Sequence, residues 1–179
     1  MAGTKAAEDA YTAAPFVPRT PTDLAPLREA AAHCRGCVGP VGELLDRALA
    51  DAGLDPAGAY VTNAVEHFKF TPAEPRKRRI HKAPTLREAA ACVPWPAAEL
   101  AIVEPELIVV PGATAGKALL GSSFKVTEAR GTLLEREIHG RPERLLPTVH
   151  PSSVLRADDR EAAYRGLAAD LRTAARALS

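Results

Sequence analysis

Glu106–Gly121 reads ELIVVPGATAGKALLG. The aliphatic residues Leu107–Val110 run without interruption into Pro111-Gly112-Ala113-Thr114. A run of this kind, closed by Pro and Gly, reads as a short buried strand. Gly112–Leu120 reads as a helix that opens directly off it. In open α/β sheets, ligands bind beyond the carboxyl ends of the strands. Free backbone N–H groups at such a helix start can hold a phosphate, which makes Gly112 a candidate binding position.

Outward from this unit the same alternation continues. Gly131–Arg136 and Arg144–Val149 read as two further strands, and the second runs into TVHPSS, delivering His150, Ser152 and Ser153 to the same edge. Asp159–Leu178 reads as a long final helix. Upstream, Thr85–Glu104 reads as helical, with Thr85 and Glu88 at capping-box spacing. Tyr60–Val65 (YVTNAV) reads as a strand that delivers Asn63. Val41–Ala52 places Val41, Leu44, Leu45, Ala48 and Leu49 on one helical face, with Gly53 as its C-cap. Leu24–Cys34 reads as a short helix. Residues 1–24, rich in Ala, Pro and Thr without periodicity, read as a disordered tail, leaving 25–179 as a single domain. Strands alternating with helices indicate an α/β sandwich with a mainly parallel sheet.

Bulk composition bounds the function without deciding it. The 179 residues are 46% hydrophobic but only 4% aromatic, so the core must be aliphatic. Lys+Arg 23 against Asp+Glu 22 leaves a formal charge of +1, which says nothing about a polyanionic partner. The distribution does: Arg76, Lys77, Arg78, Arg79 and Lys82 crowd one short window around His81, as expected of a loop that grips phosphates. A solvated surface loop is the plain alternative. No apolar stretch approaches the roughly 18 residues of a membrane span, and the N-terminus has no apolar signal core, so a cytoplasmic protein is expected.

Two constellations can carry chemistry. In the first, Asn63 offers a donor and an acceptor that match the N3–H and O4 edge of uracil. His150 can hydrogen-bond an oxygen that becomes negative as a base departs, and the Ser152 and Ser153 hydroxyls can hold phosphates. The second is Cys34 and Cys37 (a CxxC), His67 and Cys92. Three thiolates and an imidazole suit structural zinc by default, and an iron–sulfur cluster equally. Inert buried thiols are the alternative.

Together, CRGC, VGPVGELLDRALADAGLD, YVTNAVEHFKF, KRRIHK, EAAACVPW, ELIVVPGATAGKALLG and TVHPSSVLR resemble the iron–sulfur uracil-DNA glycosylases, and most closely the branch called UdgX, which becomes covalently trapped on uracil-containing DNA. The resemblance covers most of the chain, and KRRIHK with HPSS is its most specific part. It implies a three-layer α/β/α sandwich and a [4Fe–4S] cluster on Cys34, Cys37, His67 and Cys92 that braces the DNA-binding surface. It implies that Asn63 reads a flipped uracil, His150 stabilises the departing uracil anion, His81 attacks C1′ of the sugar, and Arg156 lies at the DNA surface. The implied partner is uracil in single-stranded or flipped-out duplex DNA, met by a monomer.

One departure stands out. The family carries, between its CxxC and VGPxGxLL, an aliphatic strand ending in a GEQPG-like motif and a Phe that stacks on uracil. Here Cys37 runs straight into Val38-Gly39-Pro40. The sheet is therefore expected to lack one central strand. Either Tyr60–Val65 re-pairs with Leu107–Val110, or the protein is poorly stable, because unpaired buried backbone is costly. Three readings follow: a glycosylase that crosslinks to DNA, a catalytically impaired iron–sulfur DNA-binding module, or a non-functional deletion variant.

Overall fold

The apolar stripe beginning at Val41 forms a helix in the computed structural model, Pro40–Asp51 (α1), which buries Ala48 and Leu49. Leu54 N–H reaches back to the Leu49 carbonyl at 3.0 Å across Gly53, whose φ of +85° is the left-handed turn that a helix end asks of glycine. The structure describes residues 40–65, 70–71, 80–81 and 84–179. They form two compact units, residues 62–104 in one and 40–61 with 105–179 in the other.

In the first unit, Phe70–Thr71 (β1) and Ile80–His81 (β2) pair antiparallel, Phe70 opposite His81 and Thr71 opposite Ile80. The expected helix over 85–104 is two helices, Leu86–Cys92 (α2) and Pro94–Val103 (α3). The capping box is formed: Thr85 N–H donates to Glu88 Oε2 at 2.7 Å and Glu88 N–H donates to Thr85 Oγ1 at 3.3 Å. The break at Val93 follows from Pro94 and Pro96, which supply no N–H to a continuous ladder.

In the second unit a three-stranded sheet runs in the order β3-β5-β4. Ile108–Pro111 (β3) leads into Gly112–Leu120 (α4), as the aliphatic run and its glycine predict. A short helix, Val126–Ala129 (α5), precedes Leu134–Ile138 (β4) and Arg141–Thr148 (β5). Pro151–Leu155 (α6) and Arg160–Ala177 (α7) complete the chain.

The fold is α/β, but the sheet is only half parallel. β3 pairs parallel with β5, whereas β4 and β5 form an antiparallel hairpin. Its two-residue turn is His139-Gly140, with φ of 51° and 80°, the primed geometry that matches strand twist. A second correction concerns Tyr60–Val65, which is not a strand and does not pair with β3. An extended segment becomes a strand only with a ladder partner, and among the described residues β3 has just one, β5. The readings of residues 1–24 and of Leu24–Cys34 lie outside the described residues.

Both faces of the sheet are covered. Leu145 and Leu146 are consecutive on β5 and therefore point to opposite faces, yet each is 0% exposed. One core joins Ala48, Leu49, Val154, Leu167 and Leu171, drawn from α1, α6 and α7. Among the described residues no helix is long and apolar enough to cross a membrane.

Leu146→Ala should lower unfolding free energy by about 2–5 kcal/mol in chemical denaturation, since neighbours around a fully buried leucine close up only in part. A cost under about 1 kcal/mol would mean that the sheet is not covered on that face.

Candidate active site

The parallel register decides what meets at the strand ends. Pro111 lies opposite Thr148, so the first residue past β3, Gly112, and the second past β5, His150, emerge at one edge. They are in close contact. A Cβ built on Gly112 would sit 2.8 Å from the His150 Cβ and 3.6 Å from its Cδ2. Gly112 also has a φ of +87°. Glycine is thus required twice, for backbone angle and for space.

His150 caps α6, and its side chain is fixed by neighbours in sequence. Ser152 N–H donates to Nδ1 at 3.1 Å, with Ser152 Oγ 2.8 Å from the same nitrogen. Ser153 Oγ donates to the His150 carbonyl at 2.7 Å. A backbone N–H can only donate, so Nδ1 is an acceptor and the neutral ring carries its proton on Nε2. Burial, and then the Arg156 guanidinium, hold the imidazole below its ordinary value of 6.5. The residue is exposed overall but covered by Gly112 along its Cβ–Cδ2 edge. At neutral pH it is therefore an uncharged hydrogen-bond donor through Nε2.

The second unit thus brings together Gly112, His150, Ser152, Ser153 and Arg156. Asn63 and His81 belong to the first unit. Asn63 is half-buried in a segment outside any strand. Its neighbour Thr62 donates from Oγ1 to Glu99 Oε2 at 2.5 Å, and Glu99 is only 5% exposed. His81 stands in β2 opposite Phe70. Arg76, Lys77, Arg78, Arg79 and Lys82 lie outside the described residues, as do Cys34, Cys37 and His67.

Of the four expected metal ligands, Cys92 is described. It is a free thiol, 8% exposed, at the end of α2. Three residues on, Trp95 Nε1 is buried without a hydrogen-bond partner among the described residues. A buried thiol and, three residues on, a buried N–H without a partner among the described residues suit a sulfur-rich group that accepts weak hydrogen bonds. Among the described residues no three His, Cys, Asp or Glu side chains gather as a metal site.

Sequence reading missed two buried carboxylates on helices. Glu99 interrupts the apolar helix PWPAAELAIV, and Asp170 sits within the stripe of Leu167, Leu171 and Ala174. A charge on the apolar face of a helix is the signal that would have found both, because such a charge persists only when paired.

Comparison with known proteins places these residues in a family. Residues 8–172 match the model of the uracil DNA glycosylase superfamily. The chain is similar to the type-4 uracil-DNA glycosylase of Thermotoga maritima, 32% identical over 123 residues, covering 68% of this chain and 58% of that protein. It is similar to the type-4 uracil-DNA glycosylase of Pyrobaculum aerophilum, 29% identical over 126 residues, covering 68% and 60%. A DNA polymerase of Bacillus phage SP01 is 31% identical over 119 residues, 66% of this chain and 11% of its own length. The chain therefore spans about three fifths of the length of the two type-4 relatives.

In a histidine NMR titration, His150 should ionise below 6.5, and Arg156→Gln should raise its pKa towards that value. The unfolded chain takes up this proton near 6.5 while the folded chain resists it. The group's contribution to stability is therefore intact above 6.5 and declines as pH falls below it. Gly112→Ala should displace the ring, read as a shift of the same resonances. Unchanged His150 signals in that variant would refute the contact.

Proposed function

The chain belongs to the uracil DNA glycosylase superfamily, and we propose that it releases uracil from DNA and is trapped covalently on the resulting sugar, as in the UdgX branch. The observation that carries this reading is His150, an uncharged Nε2–H donor seated against Gly112 at the sheet edge.

Asn63 recognises the extruded uracil through its donor–acceptor amide edge. As the N-glycosidic bond breaks, its electron pair leaves with uracil N1 and negative charge spreads to the carbonyl oxygens. His150 Nε2–H donates to one of them. A neutral donor keeps its own proton, so uracil departs as the anion. The cation developing at C1′ is met by the His81 imidazole, whose lone pair forms the new C–N bond. The other ring nitrogen then loses its proton to water, which leaves a neutral, alkylated imidazole. Arg76, Lys77, Arg78, Arg79 and Lys82 hold phosphates on either side, and Ser152, Ser153 and Arg156 hold the sugar–phosphate chain next to the lesion. These contacts offset the unstacking cost of a few kcal/mol. The substrate is uracil in single-stranded or flipped-out duplex DNA, and the protein acts as a monomer.

Cys34, Cys37, His67 and Cys92 would hold a [4Fe–4S] cluster, with structural zinc as the alternative. The group would brace the fold rather than enter the reaction. The buried Cys92 thiol and the unsatisfied Trp95 N–H favour a sulfur-rich occupant.

A second reading is a catalytically impaired module that only binds DNA. It is favoured by the sheet, in which β3 has a single partner among the described residues. An edge there fits a chain that lacks the family strand bearing the GEQPG-like motif and the stacking Phe. Loss of those contacts would cost transition-state stabilisation, at about 1.4 kcal/mol per factor of ten.

The chain is mixed with a uracil-containing single-stranded oligonucleotide and run on a denaturing gel. The expected result is a shifted band that His81→Ala abolishes, and uracil release slowed by about 10²–10³-fold in His150→Ala. Uracil release without a shifted band would remove the covalent step. DNA binding with neither product would select the second reading.

A further inference from the structure

The buried carboxylate of Asp170 is not used by the chemistry above, yet it makes three polar contacts. Asp170 lies on α7 and is 8% exposed. Its Oδ2 accepts from Arg130 Nε at 3.0 Å and Arg130 Nη2 at 2.9 Å. The same oxygen accepts from Thr148 Oγ1 at 2.6 Å. Gly131 closes the cluster. Its N–H donates to the Pro147 carbonyl at 2.8 Å, and a Cβ there would lie 2.7 Å from Asp170 Oδ1. At Gly166, similarly, a Cβ would lie 2.9 Å from Arg130 Nη2.

Thr148 is the last residue of β5 and is 1% exposed. Its backbone is held in register with Pro111 and its hydroxyl by Asp170. The chain then makes one step through Val149 to His150. A buried ion pair with a hydroxyl is a poor way to add stability, because desolvation offsets most of the attraction. It is a good way to fix a position, since a charge-assisted bond tolerates little displacement.

We propose that Asp170 is a positioning residue for His150: held by Arg130, it grips Thr148 and so fixes the strand end that seats the imidazole against Gly112. The inference rests on the reading of His150 as the donor to the departing base. The alternative is that Asp170 only neutralises Arg130.

Thr148→Val separates the two, because it keeps shape and the Arg130–Asp170 pair while deleting the link to the strand. The 179-residue chain is compared with Thr148→Val and Thr148→Ser by thermal unfolding, His150 NMR titration, and single-turnover uracil release from a single-stranded oligonucleotide. The expected Thr148→Val protein is folded and binds the oligonucleotide within about twofold of the parent. Its His150 pKa rises towards 6.5 as the ring loses its seat, and release slows at least about tenfold. Thr148→Ser restores both. A folded Thr148→Val with an unaltered His150 titration would overturn the proposal. Should that variant not fold, Asp170→Asn, which keeps an acceptor for Thr148 but weakens its grip, is read against the same two outcomes. If the parent chain releases no uracil, the glycosylase reading fails, while the His150 titration still decides whether Asp170 sets the ring.

Discussion

The parallel pairing of β3 with β5 is the constraint on which the site depends. It sets Pro111 opposite Thr148, and from there Gly112 and His150 have only one and two residues in which to meet. The contact they make is closer than any other side chain at 112 would permit. A slip of one residue would turn every side chain of β5 to the other face, and would carry His150 away with it. Register is protected by close packing on both faces: Leu145 and Leu146 are each fully enclosed, so a slip would force both faces to repack at once.

That arrangement makes an ordinary imidazole an oriented, uncharged donor. Ser152 N–H fixes Nδ1 as the acceptor, and burial with Arg156 keeps the ring uncharged near neutral pH. In the proposed mechanism, the proton remaining on Nε2 stabilises a leaving oxyanion without being transferred to it. Rigidity matters more than strength here, because preorganised donors need no rearrangement when charge develops. The buried carboxylates of Glu99 and Asp170 fit this logic. Each accepts from a threonine hydroxyl close in sequence to a candidate site residue, Glu99 from Thr62 beside Asn63 and Asp170 from Thr148 ahead of His150.

Much of the second unit was legible in the sequence. The strand, the Gly112 turn, the helix behind it and the final helix follow from an aliphatic run, a glycine and a 3.6-residue stripe. The delivery of His150, Ser152 and Ser153 to that edge was legible too, because the apolar run of β5 gives way to HPSS; the short helix that His150 caps was not read. What failed depended on partners distant in the chain. Tyr60–Val65 has strand composition, but pairing decides whether such a segment becomes a strand. The His139-Gly140 hairpin was overlooked because a histidine at positive φ is a weaker turn signal than asparagine. Proline at 94 and 96 splits what periodicity alone reads as one helix.

The central claim is that His150 meets the uracil base as a neutral donor through Nε2. Long-range 15N NMR of histidine-labelled protein at neutral pH, with and without a uracil-containing oligonucleotide, addresses it directly. The account expects Nδ1 to show acceptor shifts in both states and the Nε2–H signal of His150 to move downfield when DNA binds. A His150 that stays unperturbed while DNA binds, or that carries protons on both nitrogens in the complex, would contradict it.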